Sequence, residues 1–117
     1  MRVAIPSDNQ DEGCEIFPFF GQAKYFFIYE MEKGKASLLE VRENPASDTL
    51  RGLSHGKKSS GVQQMIDAYL DDCGMFVAVN MNKNVVSNLE GKGKKVIFVE
   101  GEKVSELAVR IAAEKIH

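Results

Sequence analysis

Three features of the sequence predict an α/β protein built on a five-stranded mixed sheet. Two short, almost unbroken apolar runs, Arg2-Val3-Ala4-Ile5 and Met75-Phe76-Val77-Ala78-Val79, read as strands buried on both faces. The aromatic and branched segment Tyr25–Met31 is joined to Ala36–Arg42 by Glu32-Lys33-Gly34-Lys35, the pattern of a β-hairpin. Beyond the hairpin, helical and strand-like segments alternate to the end of the chain, which favours parallel pairing through right-handed crossovers. The simplest arrangement has strand order 3-2-1-4-5, the second strand antiparallel and helices on both faces.

Each element has a local reason. Pro6 is expected to end the first strand, because proline cannot donate to a ladder. Ser7–Gln22 is polar and punctuated by Gly13, Pro18 and Gly21, so it reads as a long loop. Asn44-Pro45 stops the third strand, and Ala46–Lys58 forms a second polar loop. Ser59 or Ser60 can cap the helix that follows. Val62, Met65, Ile66, Tyr69, Leu70 and Cys73 fall on one helical stripe, and Gly74 suits the left-handed position after it. Asn80–Asn84 is a short loop or helix start. Val85, Val86 and Leu89 mark a short helix ending near Gly91 and Gly93. Val96–Val99 is the last strand. Val104, Leu107, Ala108, Ile111 and Ala112 give a final amphipathic helix. No linker, repeat or low-complexity tract interrupts the chain, so residues 1–117 are expected to form a single domain.

Composition narrows the function classes. The 117 residues, 44% hydrophobic and 27% charged, suit one domain with one core. Fifteen basic against 17 acidic residues give a net charge of −2, so no basic field drives nucleic-acid binding. No apolar run approaches the roughly 18 residues that span a membrane. The N-terminus is broken too early by Pro6 to read as a signal peptide. The expected location is cytoplasmic. A reducing compartment argues against a Cys14–Cys73 disulfide, and two thiols cannot complete a four-sulfur site within one chain.

The expected topology gathers Ser7–Gln22, Asn44–Lys58, Asn80–Asn84 and Glu100–Glu102 at one edge of the sheet. Strand order reverses there between strands one and four, where open α/β sheets bind ligands. Cys14 in the first loop is either a thiolate ligand for a soft metal or iron–sulfur species, or a loop cysteine without a role. His55, flanked by Gly52 and Gly56, is either a metal ligand or a solvated histidine. Lys57, Lys58 and the helix start at Ser59-Ser60-Gly61 form either an anion site or a solvated basic face. Cys73 closes an apolar stripe at the opposite pole and reads as core. Phe17, Phe19 and Phe20 either line a pocket or pack the loop onto the domain, while Met81 sits on the ligand edge. The first and fourth strands carry no acid, and Asp8 and Asp48 read as loop residues with no partner carboxylate evident in the sequence. Both facts count against a two-metal nuclease. Phosphate-loop, G-x-G-x-x-G and C-x-x-C motifs are absent.

Taken in order, Met1-Arg2-Val3-Ala4-Ile5-Pro6-Ser7-Asp8, Phe20-Gly21-Gln22-Ala23 with Tyr25-Phe26, Glu43-Asn44-Pro45-Ala46, Gly61–Gly74 and Val86–Ile97 resemble the dinitrogenase iron–molybdenum cofactor biosynthesis family, the NifX-like group. The resemblance covers nearly the whole chain. It implies a ribonuclease H-like fold and a non-enzymatic role. The cargo implied is an iron–sulfur cluster or iron–molybdenum cofactor precursor, carried between metallocluster assembly and acceptor proteins. Cys14 and His55 are the expected metal ligands, with Gly21, Asn80 and Asn82 as further cofactor-binding positions. Because clusters take about four ligands, an exogenous thiol or a second subunit, as in a homodimer, would complete the set. The alternatives are a small-molecule or anion sensor and, least favoured, a metal-dependent nuclease-like enzyme.

Overall fold

The computed structural model describes residues 1–44 and 66–114. Its strands are β1 (Arg2–Ser7), β2 (Tyr25–Glu32), β3 (Lys35–Glu43), β4 (Met75–Ala78) and β5 (Lys95–Phe98). Helix α1 (Lys83–Gly91) joins β4 to β5, and α2 (Val104–Glu114) follows β5. A 3-10 turn occupies Phe20–Gln22, and residues 66–69 are helical.

The sheet has the order β3-β2-β1-β4-β5. Strand β2 runs antiparallel to β1 and β3, while β1, β4 and β5 are mutually parallel. The hairpin turns on Lys33 and Gly34, both at positive φ (52° and 77°). Two left-handed central residues are what a two-residue hairpin needs to follow the twist of its strands, and Gly34 adopts that state without a Cβ penalty. Within the hairpin, Ile28 pairs with Glu40 but Tyr29 with Leu38, so Leu39 is an extra residue, a β-bulge.

Alternation along the strands sends side chains into two cores, one on each face. On one face Ala4, Phe26, Ile28, Phe76 and Ala78 meet Phe20, Ile66, Leu70, Cys73 and, from α1, Val85 and Leu89. On the other, Val3, Ile5, Phe27, Tyr29, Met75 and Val77 meet Ile16 and the apolar stripe of α2. The long loop after β1 therefore feeds both cores, Ile16 into one and Phe20 into the other.

Several local expectations are corrected. Strand β1 continues through Pro6 to Ser7, with Pro6 opposite Phe26. The Pro6 carbonyl accepts from Phe17 N–H at 3.0 Å, so this residue's polar edge faces away from β2 and the missing N–H breaks no ladder bond. Gly74 is not left-handed; Gly34 and Gly93 are the described glycines with positive φ. Gly74 instead lies against β1, donating to the Arg2 carbonyl at 3.0 Å. Tyr69 is 43% exposed rather than part of the buried stripe, which in the described residues comprises Ile66, Leu70 and Cys73. Val62 and Met65 lie outside the described residues.

Candidate functional site

The loop between Ser7 and Gln22 runs along the C-terminal ends of β1 and β4. It is tied down by backbone bonds that cross the strand ends. Phe17 N–H donates to Pro6, Asn80 N–H to Pro18 at 3.0 Å, and Ile16 N–H to Glu102 at 2.8 Å. The first N–H groups of α2, which have no partner within their own helix, are taken by the same loop. Val104 donates to the Cys14 carbonyl at 2.9 Å and Ser105 to the Glu12 carbonyl at 3.0 Å. Cys14 thus has a fixed backbone at the start of α2, on the α2 face of the sheet.

Its side chain is half-buried and lies 3.0 Å from Ser7 Oγ. Ser7 is fully buried at the end of β1. Its hydroxyl donates to the Asn9 carbonyl at 2.6 Å and accepts from Asn9 N–H at 3.1 Å. With the single hydroxyl proton engaged there, the Cys14 thiol is the donor in the Ser7 contact. A thiolate has no proton to donate. Ligation by Cys14 therefore requires Ser7 either to turn its proton from Asn9 toward sulfur or to lose the contact. Beside them, Tyr29 donates its phenol proton to Glu12 Oε2 at 2.5 Å. Burial, and then the Glu12 carboxylate, push the Tyr29 phenol above its usual range, so it stays a donor at all working pH values.

Among the described residues, Cys14, Gly21, Asn80 and Asn82 lie on different parts of the scaffold. Gly21 is buried in the 3-10 turn on the opposite, α1 face. Its carbonyl accepts from Asn44 Nδ2 at 3.4 Å, and Asn44, itself buried, also bonds the Ala23 carbonyl at 2.9 Å. Asn82 caps α1, its side chain accepting from Asn84 N–H at 2.8 Å. Asn80 is exposed and forms an isolated bridge with Phe19 at the switch point between β1 and β4. The structure thus brings Asn80 beside the Cys14-bearing loop and places Gly21 and Asn82 in the scaffold around it. His55, Lys57, Lys58 and Asp48 lie outside the described residues.

The aromatic residues of the loop divide. Phe20 packs on Phe26 and Phe76, with centroids 5.1 and 5.9 Å apart. Phe19 is 51% exposed and meets half-buried Phe17 edge-on at 6.2 Å. Met81 packs against the α1-side core from the rim. Among the described residues, no group of three or more His, Cys, Asp or Glu side chains is placed to hold a metal ion. Ser7, Glu12 and Tyr29 were missed from sequence. The signal was present only for Ser7, a small hydroxyl residue at the end of the central strand.

Cys73 stands at the other pole, fully buried immediately before β4. Burial, then the neighbouring Asp72 charge, pushes its thiol up to about 11. Asp72 accepts a bidentate pair from Arg42 (2.6 and 2.7 Å) and a further bond from Arg2 (2.5 Å). Lys94 Nζ donates to the carbonyls of Asp71 (2.6 Å) and Cys73 (2.8 Å). These contacts clasp the segment before β4 onto β1, β3 and β5.

The comparisons agree with this architecture. The crystal structure of PH0822 superposes with a TM-score of 0.74 at 16% identity, covering 97% of this chain and 91% of that one. The apo form of the orange protein from Desulfovibrio gigas gives 0.69 at 20% identity, covering 97% and 88%. At those identities the likeness shows the fold. A Thermotoga protein provisionally described as NifB, of the DUF35 family, gives 0.65 at 32% identity, covering 97% and 87%. The uncharacterized protein MJ0580 of Methanocaldococcus jannaschii is 34% identical over 53 residues, which span 45% of this chain and 42% of that protein. The family described as dinitrogenase iron–molybdenum cofactor matches residues 1–114, nearly the whole sequence. The chain therefore belongs to the dinitrogenase iron–molybdenum cofactor family.

Proposed function

We propose that this protein is a non-enzymatic carrier or accessory in metallocluster assembly, one cytoplasmic domain of ribonuclease H-like type. Its cargo is an iron–sulfur cluster or iron–molybdenum cofactor precursor, which it passes between assembly and acceptor proteins. The family membership supports this class of cargo. The observation that carries the reading is Cys14, a half-buried thiol on a pinned loop at the C-terminal end of the central strand. The described residues offer one thiol there and no closed ligand set. A carried cluster arrives with ligands of its own and leaves again, whereas a permanent centre takes about four protein ligands. His55 is proposed as a second ligand. Asn80, with Phe19, borders the same edge and meets the cargo's outer surface.

The test is anaerobic incubation with iron and sulfide, followed by absorbance spectra and iron counting, on wild type, Cys14→Ala and His55→Ala. The expected result is a broad visible absorbance in wild type that chelator removes, weaker in both variants. Equal iron in all three proteins would show that the site lies elsewhere. A colourless, iron-free wild type would restrict the cargo to a preassembled cofactor delivered by another protein.

A further inference from the structure

Among the described residues the sheet has two edges, β3 and β5, and they are built differently. On β3 the bulge at Leu39 reverses the alternation. Leu38 lies opposite Tyr29, on the α2 face, whereas Glu40 lies opposite Ile28, on the α1 face. An antiparallel copy of β3 centred on Leu39 would set Leu38 against Glu40 with the two side chains on opposite faces. Bulges guard edges in this way.

Strand β5 carries no bulge. The N–H groups of Lys95 and Val99 point inward, to the carbonyls of Gly74 (2.9 Å) and Ala78 (3.0 Å). By alternation the polar groups of Val96 and Phe98 point outward, and among the described residues no strand lies beyond them. Phe98 is 54% exposed, and Val96 and Ile97 are half-buried. Charge changes sign along the edge, from Lys92, Lys94 and Lys95 at one end to Glu100 and Glu102 at the other. A strand with that polarity is complementary to itself when reversed.

We propose that β5 pairs with β5 of a second copy, antiparallel about Ile97, joining two five-stranded sheets into one. In this register Ile97 faces the partner's Ile97 and Val96 faces the partner's Phe98, while Lys94, whose Nζ stays on the Asp71 and Cys73 carbonyls, comes level with the partner's Glu100. The outward groups of Val96 and Phe98 then form about four backbone hydrogen bonds between the two copies. The apolar stretch Val96–Phe98 selects the register. Sliding by one step centres the pair on Phe98 and sets Val96 against the partner's Glu100; the opposite step centres it on Val96 and sets Lys94 against the partner's Phe98. Either slip puts a charge against an apolar side chain. On the α2 face, the partner's Lys95 lies opposite Val99, where a depression lined by Val99, Glu100, Glu102 and Arg110 can take its stem. The contact is isologous, so it closes as a dimer and leaves the bulged β3 edges outermost. It uses none of the residues assigned to cargo.

Sedimentation velocity across micromolar to near-millimolar concentrations tests this on the full chain. Wild type should pass from monomer to dimer. Phe98→Glu should weaken the dimer by roughly 100-fold or more, since it faces two apolar positions with carboxylates. Its melting temperature should stay near wild type because Phe98 is exposed, which separates lost pairing from lost folding. Ile97→Cys gives an independent reading, because directly opposed non-hydrogen-bonded residues sit about 4.5 Å apart at Cα, within disulfide range. Under mild oxidation it should cross-link into a reducible dimer, and Val109→Cys, 65% exposed on α2, should not. A wild type that stays monomeric throughout would overturn the proposal. So would a dimer that Phe98→Glu leaves intact, or cross-linking no greater at Ile97→Cys than at Val109→Cys.

Discussion

The two cysteines occupy opposite poles of one sheet, and their surroundings differ in kind. Cys14 sits on a loop whose backbone is held at many points while its thiol remains half-buried beside one hydroxyl. Cys73 has no accessible surface, an apolar core on one side and a clasp of Arg2, Arg42, Asp72 and Lys94 on the other. A fixed backbone with a reachable side chain suits exchange of a ligand. A buried side chain under an ion-pair network suits stability. The contrast teaches that residue type does not decide the role of a thiol in this fold. What decides it is whether rigidity is invested in the main chain or in the packing of the side chain.

The largest expected difference is in labelling by a thiol reagent. Cys14 should react in the native protein, and Cys73 only through opening of the fold, on the order of 100-fold more slowly or less. The gap should persist well above pH 9, where an ordinary thiol ionises, because the folded Cys73 thiol does so near pH 11. Folding stability should fall over the same window. An unfolded Cys73 loses its proton before the folded one does, so the contribution present below pH 9 fades as pH rises toward 11. Mass spectrometry of the labelled peptides, with urea melts at stepped pH, would check both. Equal labelling of the two sites would erase the contrast.

Next in size, Cys73→Ala should cost roughly 1–2 kcal/mol through lost packing while leaving cluster binding unchanged. Chemical denaturation and iron counting on the same sample would read both quantities. A variant that folds normally but takes up no cluster would move the site to the other pole.

A smaller effect is expected at the clasp. Asp72→Asn should cost about 0.5–1 kcal/mol, less at high salt, because Asp72 is partly exposed and its ion pairs are screened. The bidentate Arg42, then Arg2, hold the Asp72 carboxyl well below its ordinary value of 3.8. Its contribution is therefore present above that pH and lost as pH falls below it, since the unfolded chain takes up the proton first. Stability measured from pH 6 down to pH 2 should drop more steeply in wild type than in Asp72→Asn. Parallel curves would show that the clasp adds nothing.

The smallest effect on stability belongs to Cys14→Ala, expected within about 0.5 kcal/mol of wild type by thermal melt. Loss of more than that would mean that the Ser7 contact braces the fold, and the site would then resemble its opposite pole.

The architecture was readable from the sequence because it rests on local patterns. Two buried runs, a Lys33-Gly34 turn and three alternating segments were enough to order the sheet. Cys14 and Cys73 fell at opposite poles for the same reason, as the ends of parallel strands fix where each loop emerges. The detail of the site was not readable. Phe17 to Pro6, Asn80 to Pro18 and Val104 to Cys14 are backbone bonds, so they leave no trace in residue identity. The passage of β1 through Pro6 depended on which way one carbonyl faces, and the separation of Gly21 from Cys14 on the pleat of strands far along the chain. Tyr29 with Glu12 shows the same limit, since a strand tyrosine reads as core until its hydroxyl finds a carboxylate.

The tight turn at Lys33 and Gly34 has a consequence in time rather than in space. It lets β2 and β3 find each other through the shortest closure available among the strands, with little chain entropy to overcome. The central strand must wait, because Val3 and Ala4 meet Met75 and Phe76 only after most of the chain has been made. Loop closure therefore favours the hairpin forming before β1 pairs with β4, the contact of larger sequence separation that creates the switch point. The Cys14 loop is held by Asn80 and by the start of α2, so the candidate site depends on that long-range pairing and not on the hairpin alone.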